Sequence, residues 1–213
     1  MKALVTGFEP FGGETLNPAL EAIRRLPPTL GPLAIETRAV PTVFGRSIEA
    51  LVRALDEIQP DIVLAVGQAG GRPALSLERI AINIDDAVST DNDGWAPIDR
   101  PIVAGGPPAY FTTLPIKAAV QALRAAGLPA IVSNTAGTFV CNHLFYGLMH
   151  DAALCGRRLR GGFLHIPYLP QQAVRHAGAP SMAIEHIVQG IEIILATTAE
   201  YFDDLVLAED ATM

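Results

Sequence analysis

Three residues in this sequence have the types needed for nucleophilic catalysis: a cysteine, a histidine and a glutamate. Cys141 follows the small-residue segment SNTAGTFV and opens a predicted helix, CNHLFYGLMHDA. The first turn of a helix carries free N–H groups and partial positive charge, which favour a thiolate and lower the pKa of a thiol. The same N–H groups are suited to hold a developing oxyanion. The alternative is a buried apolar cysteine, because cysteine is among the most buried residue types.

His165 is the predicted base for this thiol. It lies near the end of the strand segment GGFLHIPY, and a histidine at the carboxyl end of a strand is able to face the start of the Cys141 helix. His143 is nearer in sequence, but residues i and i+2 of a helix point to different sides, so we interpret it as structural or surface-facing. The competing interpretation of His165 is a hydrogen-bonded core histidine.

Glu78 is the predicted partner of this base, because it interrupts an otherwise apolar strand segment, LSLERIAINI (75–84). A buried carboxylate is costly unless it is paired. Glu78 is able to accept from the second N–H of His165 and fix its tautomer, as the third member of a catalytic triad does. The alternative is a salt bridge with the adjacent Arg79 at the edge of the sheet.

Metal-binding patterns are weak in this sequence. Cys141 and His143 lack a second pair at the spacing of zinc ligands. A cluster of aspartates follows the Glu78 strand, but its spacing does not match a calcium-binding EF-hand loop. We interpret its members as solvated turn residues: Asp85, Asp86, Asp91 and Asp93.

The loop TGFEPFGGETLNP (6–18) is a candidate substrate site. It lacks the G-x-G-x-x-G spacing of a dinucleotide loop and the Lys-Ser/Thr of a phosphate loop. Its two aromatics, Phe8 and Phe11, either plug the core beneath the loop or wall a small, flat, uncharged pocket. The segment GQAGGR (67–72) would expose backbone donors and acceptors beside that pocket.

Alternating strands and helices must position these residues. Asn17 followed by Pro18 predicts a capped helix start, and apolar periodicity predicts the other elements. The predicted strands are 2–7, 33–40, 61–67, 75–84, 130–134 and 161–167, and the predicted helices are 18–26, 44–58, 115–127, one from Cys141 and 181–200, with a long loop at 86–113. This alternation predicts a single α/β domain over residues 1–213, with a largely parallel or mixed sheet covered on both faces.

Bulk composition excludes several classes of protein. Half of the residues are apolar, 17% are charged and the net charge is −7, which indicates a globular protein and argues against nucleic acid or anionic membrane as a partner. No stretch approaches the roughly 20 apolar residues of a membrane helix, and the N-terminus does not fit a signal peptide. Two cysteines are no disulfide framework, so we expect free thiols and a cytoplasmic protein.

Five motifs resemble the pyroglutamyl-peptidase I family, also called pyrrolidone-carboxylate peptidase. They are VTGFEPFGGETLNP, GQAGGR, ERIAIN, TAGTFVCNHLFYGLMH and RGGFLHIPYLP, in family order and near family spacing. The resemblance implies a cysteine peptidase that removes an N-terminal pyroglutamyl residue from peptides. It implies Cys141 as nucleophile, His165 as general base and acid, and Glu78 as the group that orients His165. It also implies an α/β/α sandwich around a mixed twisted sheet, a homotetramer, and no metal or cofactor.

A neutral substrate ring fits loops that offer aromatic side chains and backbone hydrogen-bonding groups. Pyroglutamate is a flat lactam without an α-ammonium group, so it suits aromatic walls and backbone hydrogen bonds. The resemblance implies a set of substrate-binding residues: Phe8, Phe11 and Phe139 around the ring, the main chain near Gln68 and Val140, and Asn17 and Thr42 nearby.

One position departs from the family pattern. The family reads DARxPDN where this chain reads DAVSTDN (86–92), so Val88 stands in place of an arginine that the family places near the oxyanion site. Losing an oxyanion donor predicts weaker turnover. The alternative function is a binding protein for pyroglutamyl peptides on the same scaffold. A third alternative, an enzyme of nucleoside-phosphorylase type, would need a phosphate site that no basic glycine loop clearly supplies.

Overall fold

The computed structural model describes residues 1–208 and 211–212, and these form ten strands and six helices. The strands are β1 Lys2–Phe8, β2 Thr29–Leu30, β3 Leu33–Val40, β4 Ile62–Gln68, β5 Leu75–Glu78, β6 Ile80–Ile82, β7 Ala109–Phe111, β8 Ala130–Ser133, β9 Arg160–Ile166 and β10 Ala211–Thr212. The helices are α1 Pro18–Ile23, α2 Arg46–Ile58, α3 Ile116–Ala125, α4 Val140–Leu154, α5 Pro170–Ala173 and α6 Ile184–Glu200.

Eight strands build one mixed sheet, in the order β10, β8, β5, β9, β4, β1, β3, β2. The neighbours β3, β1, β4 and β9 run parallel to one another, as do β10, β8 and β5. Strand β5 is antiparallel to β9, so the strand direction reverses between them. The predicted mixed, largely parallel sheet is therefore confirmed, and Glu78 and His165 lie on the two strands that meet at the reversal.

Helices cover both faces of the sheet and complete an α/β/α sandwich. Helices α1, α3 and α6 pack on one face, and α2 and α4 pack on the other. Strand β4 shows why both faces are apolar: Ile62, Leu64 and Val66 point to the first layer, while Val63 and Ala65 point to the second. Successive side chains of a strand alternate between faces, so a continuous apolar run must be buried on both sides.

Local signals explain where the helices begin and end. The Asn17 side chain accepts a hydrogen bond from the Ala19 N–H at 3.0 Å, and Pro18 occupies the first helical position of α1, as predicted. The helix then ends at Ile23, before the predicted boundary.

Within the described part of the chain, no helix combines the length and apolarity required to cross a membrane.

The predicted strand 75–84 is in fact two strands in different sheets. Strand β5 ends at Glu78, whereas β6 pairs with β7 in a separate two-stranded sheet. Arg79 joins them: its N–H donates to the Ser133 carbonyl at 2.8 Å, and its carbonyl accepts from the Thr112 N–H at 2.9 Å. The prediction was wrong because apolar alternation continues through the bend. The partner strand β7 lies inside the predicted long loop, where three residues are too few to show a period.

Two of the four aspartates are buried, so the interpretation of all four as solvated was wrong. Asp86 and Asp93 are exposed, but Asp85 and Asp91 are only 3% and 5% exposed. The Asp91 carboxylate accepts the backbone N–H groups of Phe44, Asp93 and Trp95 at 2.9–3.0 Å. A carboxylate that holds several amide N–H groups orders its loop from within, which solvated turn residues do not do.

Candidate active site

Cys141 lies in the first turn of α4, at its second residue. Phe139 is extended, and the first hydrogen bond of the helix runs from the His143 N–H to the Phe139 carbonyl at 3.1 Å. Across the described structure, the N–H groups of Val140, Cys141 and Asn142 donate to no protein acceptor. The predicted helix start is confirmed, and free N–H groups lie in the same helical turn as Cys141.

The Cys141 sulfur packs against the end of β4. A Cβ atom placed on Gly67 would lie 2.9 Å from Cys141 Sγ and 2.8 Å from Phe163 Cζ, so only glycine leaves room for this approach. Gly67 is the register partner of His165 across β4 and β9. Directly paired residues of neighbouring strands point to the same face, so the sulfur and the imidazole belong to the same small region of the sheet.

His165 and Glu78 form a buried pair across the strand reversal. His165 Nδ1 lies 2.7 Å from Glu78 Oε1, and the two residues are 4% and 0% exposed. Ser76 is directly opposite His165 in the ladder, and Glu78 is the next residue of β5 on that face. Nδ1–H therefore donates to the carboxylate, which leaves Nε2 as the basic nitrogen. No hydrogen bond links Nε2 to Cys141 Sγ among the described residues, and such contacts commonly tighten only when substrate binds.

Burial sets the resting protonation of this pair. Desolvation, and secondarily the Glu78 carboxylate, raise the pKa of the Cys141 thiol from 9.0 to about 12, and Arg72 opposes this rise. Burial also lowers the pKa of His165, with Glu78 acting against it and Arg72 adding a smaller lowering. The predicted lowering of the Cys141 pKa was wrong, because desolvation of the buried thiol is the largest effect and raises it. The resting pair is thus a thiol and a neutral imidazole.

Glu78 has a salt-bridge partner, but it is Arg72 and not Arg79. Arg72 Nη1 donates to Glu78 Oε1 at 2.7 Å, the same oxygen that accepts from His165. Arg79 instead donates through Nε to Asn134 Oδ1 at 2.8 Å. The second oxygen, Glu78 Oε2, is buried and has no hydrogen-bond partner in the described structure. The salt bridge and the histidine contact therefore coexist on one carboxylate.

His143 is a buried structural residue. Its Nδ1 lies 2.8 Å from Asp85 Oδ2, and its Nε2 accepts the Gly45 N–H at 2.8 Å. The structural interpretation is confirmed and the surface-facing one is wrong, since the residue is 5% exposed. Both ring nitrogens are occupied, which excludes a zinc site shared with Cys141.

Two half-buried aromatic rings lie close to each other before the start of α4. Phe11, from the loop after β1, and Phe139, directly before α4, have ring centroids 6.2 Å apart. Phe8 is instead the last residue of β1, 2% exposed, with its ring 6.4 Å from that of Phe163. Phe163 in turn contacts the His165 ring at 4.8 Å. Phe11 and Phe139 thus form a half-buried ring pair directly before α4, and Phe8 lies in the core.

Three other predicted binding residues use their side chains to hold loops. Asn17 Nδ2 and Thr42 Oγ1 both donate to the Glu9 carbonyl, at 3.1 and 2.8 Å. Gln68 Oε1 accepts from Gln172 Nε2 at 2.9 Å. These contacts fix the backbone of the loop after β1 and of the end of β4.

An ionic contact that holds the Phe11 loop, here called the Glu14 clamp, was missed by the sequence analysis. The Glu14 carboxylate contacts Arg175 and, at 3.4 Å, His176, both just after α5. Nothing in the local pattern predicts contacts between residues so far apart. The clamp holds the loop that carries Phe11 against the segment that follows β9.

Comparison with known proteins agrees with this geometry. The family model for pyroglutamyl peptidase matches residues 1–201. The chain belongs to the pyroglutamyl peptidase family. Among its relatives, the pyrrolidone-carboxylate peptidase 1 of Ralstonia nicotianae is 58% identical over 203 residues, which cover 95% of this chain and 94% of the relative. The pyrrolidone-carboxylate peptidase of Brevibacillus brevis is 54% identical over 205 residues, covering 96% and 95%.

Solved structures of the pyroglutamyl peptidase family share the fold. Pyroglutamyl peptidase I from Bacillus amyloliquefaciens superposes with a TM-score of 0.95 at 48% identity and covers 97% of this chain and 99% of its own. A mutant pyrrolidone carboxyl peptidase from Pyrococcus furiosus gives 0.91 at 42% identity, covering 94% and 99%. The comparisons support neither the binding-protein alternative nor the nucleoside-phosphorylase alternative.

Proposed function

We propose that this protein is a cysteine peptidase that removes the N-terminal pyroglutamyl (5-oxoproline) residue from peptides. The observation that carries the proposal is the buried His165–Glu78 pair beside Cys141, at a helix start with free N–H groups. This arrangement occurs in a chain that matches the pyroglutamyl peptidase family over residues 1–201.

The proposed reaction proceeds through an acyl-enzyme on Cys141. His165 Nε2 takes the thiol proton as the sulfur attacks the pyroglutamyl carbonyl carbon, and the N–H groups of Val140 and Cys141 hold the oxyanion. His165 then gives its proton to the leaving amine nitrogen as the C–N bond breaks. Water, deprotonated by His165, cleaves the thioester, releases 5-oxoproline and restores the thiol. Glu78 holds the imidazole in the tautomer that these steps need.

Recognition in this proposal depends on a flat, uncharged ring. Phe11 and Phe139 would face the lactam ring, with Phe8 as the floor beneath it. The lactam N–H and C=O would bind main-chain groups near Gln68 and Val140. Such a pocket offers no anchor for an α-ammonium group, which pyroglutamate lacks. The side chains of Asn17 and Thr42 would act indirectly, because they hold the Glu9 carbonyl.

The proposal includes location and assembly. A peptidase that depends on a free thiol fits a reducing cytoplasm, and both cysteines are free. The net charge of −7 disfavours nucleic acid and anionic membranes as partners.

Exposed apolar side chains such as Phe111, Leu154 and Phe202 fit a homotetramer with apolar contacts. Light scattering coupled to size exclusion tests this: a mass of one chain contradicts it.

Release of a chromogenic amine from a pyroglutamyl amide tests the proposed activity. The matched control substrate is the prolyl amide, which keeps a five-membered ring but has a charged ammonium and no lactam carbonyl. We expect release from the first substrate only, and none with Cys141→Ala. Turnover that survives Cys141→Ala excludes the acyl-enzyme mechanism, and equal rates on both amides exclude lactam recognition.

A further inference from the structure

Arg72 occupies a position that the proposed mechanism has not yet used. It follows β4, and its Nη1 lies 2.7 Å from Glu78 Oε1. The same oxygen accepts from His165 Nδ1 at 2.7 Å. Glu78 is fully buried, and a buried carboxylate is unfavourable without an opposite charge. The guanidinium is that opposite charge.

The backbone before α4 holds the guanidinium in place. Arg72 Nη1 also donates to Ser133 Oγ at 3.3 Å, and Nη2 donates to the Thr135 carbonyl at 3.0 Å. The Ser133 hydroxyl itself donates to the Thr135 carbonyl at 3.1 Å. The planar fork of an arginine suits this shared geometry, which a lysine ammonium does not reproduce. Arg72 therefore connects the carboxylate to the segment that leads into Cys141.

Charge balance distinguishes Arg72 from an ordinary structural salt bridge. Among the described residues, His165 from β9 and Arg72 from the loop after β4 bind Glu78, and Cys141 from α4 interacts with its charge. Strand β8 adds the hydroxyl of Ser133, which accepts from Arg72. Glu78 raises the pKa of both Cys141 and His165, and Arg72 lowers both, so Arg72 opposes the effect of the carboxylate on each member of the reacting pair. When the proton moves from Sγ to Nε2, thiolate and imidazolium form beside carboxylate and guanidinium. The four charges cancel, whereas without Arg72 one negative charge would remain in a buried site.

We propose that Arg72 is a positioning residue of the peptidase reaction, which neutralises Glu78 and holds its carboxylate on His165 so that the thiolate–imidazolium pair forms in a site without net charge. This inference rests on the proposed function, because it concerns the same sulfur and imidazole. In the proton transfer, the S–H bond breaks, its electron pair stays on sulfur, and the Nε2–H bond forms. Arg72 exchanges no proton in this step.

Alkylation of Cys141 tests the inference without any substrate. We would use full-length protein carrying Cys155→Ser, since Cys155 is an exposed thiol that would also react. Iodoacetamide alkylation is measured from pH 6 to 9, and kcat and KM are measured on the pyroglutamyl amide. The variants are Arg72→Gln, which keeps hydrogen-bond donors but no charge, Arg72→Lys, and the neighbouring control Arg79→Gln.

We expect Arg72→Gln to slow alkylation at pH 7.5 by about tenfold, since a lost counter-charge shifts a pKa by about one unit. Its kcat should fall by a similar factor while KM stays within about twofold, because the lost contact does not touch the substrate. Arg72→Lys keeps the charge but loses the planar fork of donors, so its alkylation should be slowed less than that of Arg72→Gln, by about threefold. Arg79→Gln should behave like the parent in both assays.

Two results would overturn the inference. One is an alkylation profile of Arg72→Gln that matches that of Arg79→Gln. The other is a tenfold slowing in Arg72→Lys, which would assign the effect to shape and not to charge, and this readout remains if Arg72→Gln fails to fold. Absence of turnover by the parent protein, with the alkylation pattern as expected, would reject the proposed peptidase activity alone.

Discussion

Among the described residues, two histidine–carboxylate pairs are buried, and only one of these two is arranged as a base. In both, Nδ1 meets a buried carboxylate: His165 contacts Glu78 at 2.7 Å, and His143 contacts Asp85 at 2.8 Å. The difference is the second nitrogen. Nε2 of His143 accepts the Gly45 N–H, whereas Nε2 of His165 has no hydrogen-bond partner in the part of the chain that is described. A carboxylate orients an imidazole, but only a free second nitrogen makes it available as a base.

The surroundings of the two carboxylates differ in the same sense. Glu78 is shared between His165 and a cation, Arg72. The backbone of Asp85 exchanges hydrogen bonds with that of Arg100, so its pair with His143 joins three segments of chain. The His165–Glu78 pair is therefore arranged for proton transfer, whereas the His143–Asp85 pair stabilises the fold.

Replacing each histidine should separate activity from stability most sharply. His165→Asn is expected to lower kcat/KM by on the order of 1000-fold, because it removes the general base. Its unfolding midpoint should stay close to that of the wild type. His143→Asn should lower the unfolding midpoint and leave kcat/KM close to that of the wild type. Amide-release kinetics and urea unfolding of both variants check this. Equal loss of activity in both variants would contradict the assignment of different roles to the two pairs.

Gly67→Ala should damage only the region around His165. Its new methyl group would meet Cys141 Sγ and Phe163 Cζ at under 3 Å and push the sulfur away from the imidazole. A displacement of about 1 Å at a reacting atom costs on the order of 100-fold in kcat. The measurement is kcat beside circular dichroism, and wild-type turnover would show that the sulfur need not lie at this position.

Asp85→Ala should act on stability alone. It leaves the Nδ1–H of His143 buried without an acceptor, which costs about 1–3 kcal/mol in the free energy of unfolding. Turnover per folded molecule should stay within about twofold, because no reacting group is touched. Chemical denaturation measures the first quantity and active-site titration the second. Strong loss of turnover at full folding would assign a catalytic role to the second pair.

The pH profile of the wild type should reflect the burial of His165. Its pKa lies below the ordinary value of 6.5, so the imidazole is neutral and able to accept a proton throughout the neutral range. Activity falls only as pH drops through this lowered pKa, and at pH 6.5 kcat/KM should have lost less than about half of its plateau value. Initial rates between pH 5 and 8 test this, and an acid limb with its midpoint above 6.5 contradicts it.

Val88→Arg is expected to have the smallest effect. Val88 is fully exposed on the loop after Asp85, where its side chain points to solvent, so the missing family arginine is not replaced by a buried contact. We expect kcat/KM to rise by no more than about threefold, as is usual for surface substitutions. A gain near the 100-fold worth of an oxyanion donor would show that the loop closes over the site during turnover.

Residue types and local signals predicted much of this structure. The Asn17–Pro18 pair marked the start of α1, the apolar run of β4 marked a strand buried on both faces, and Glu78 was recognisable as a charge inside an apolar segment. Each of these signals depends on residues that are close in sequence, so each could be recognised without knowing the tertiary contacts.

Contacts between distant segments could not be predicted in this way. Arg72 was visible only as the last letter of a glycine-rich loop, and nothing local distinguished it from Arg79 as the partner of Glu78. The burial of Asp85 depends on His143, which is 58 positions away. The raised pKa of Cys141 arises from desolvation by the packed domain, which a helix start alone does not reveal.

The reversal of strand direction between β5 and β9 has a consequence for biosynthesis. Glu78 and His165 are 87 positions apart, and Cys141 comes between them in the sequence. A chain still emerging from the ribosome therefore possesses its acid and then its thiol before its imidazole. Hydrolysis cannot begin until β9 has paired with β4 and β5. Activity therefore requires the insertion of this central strand into the sheet.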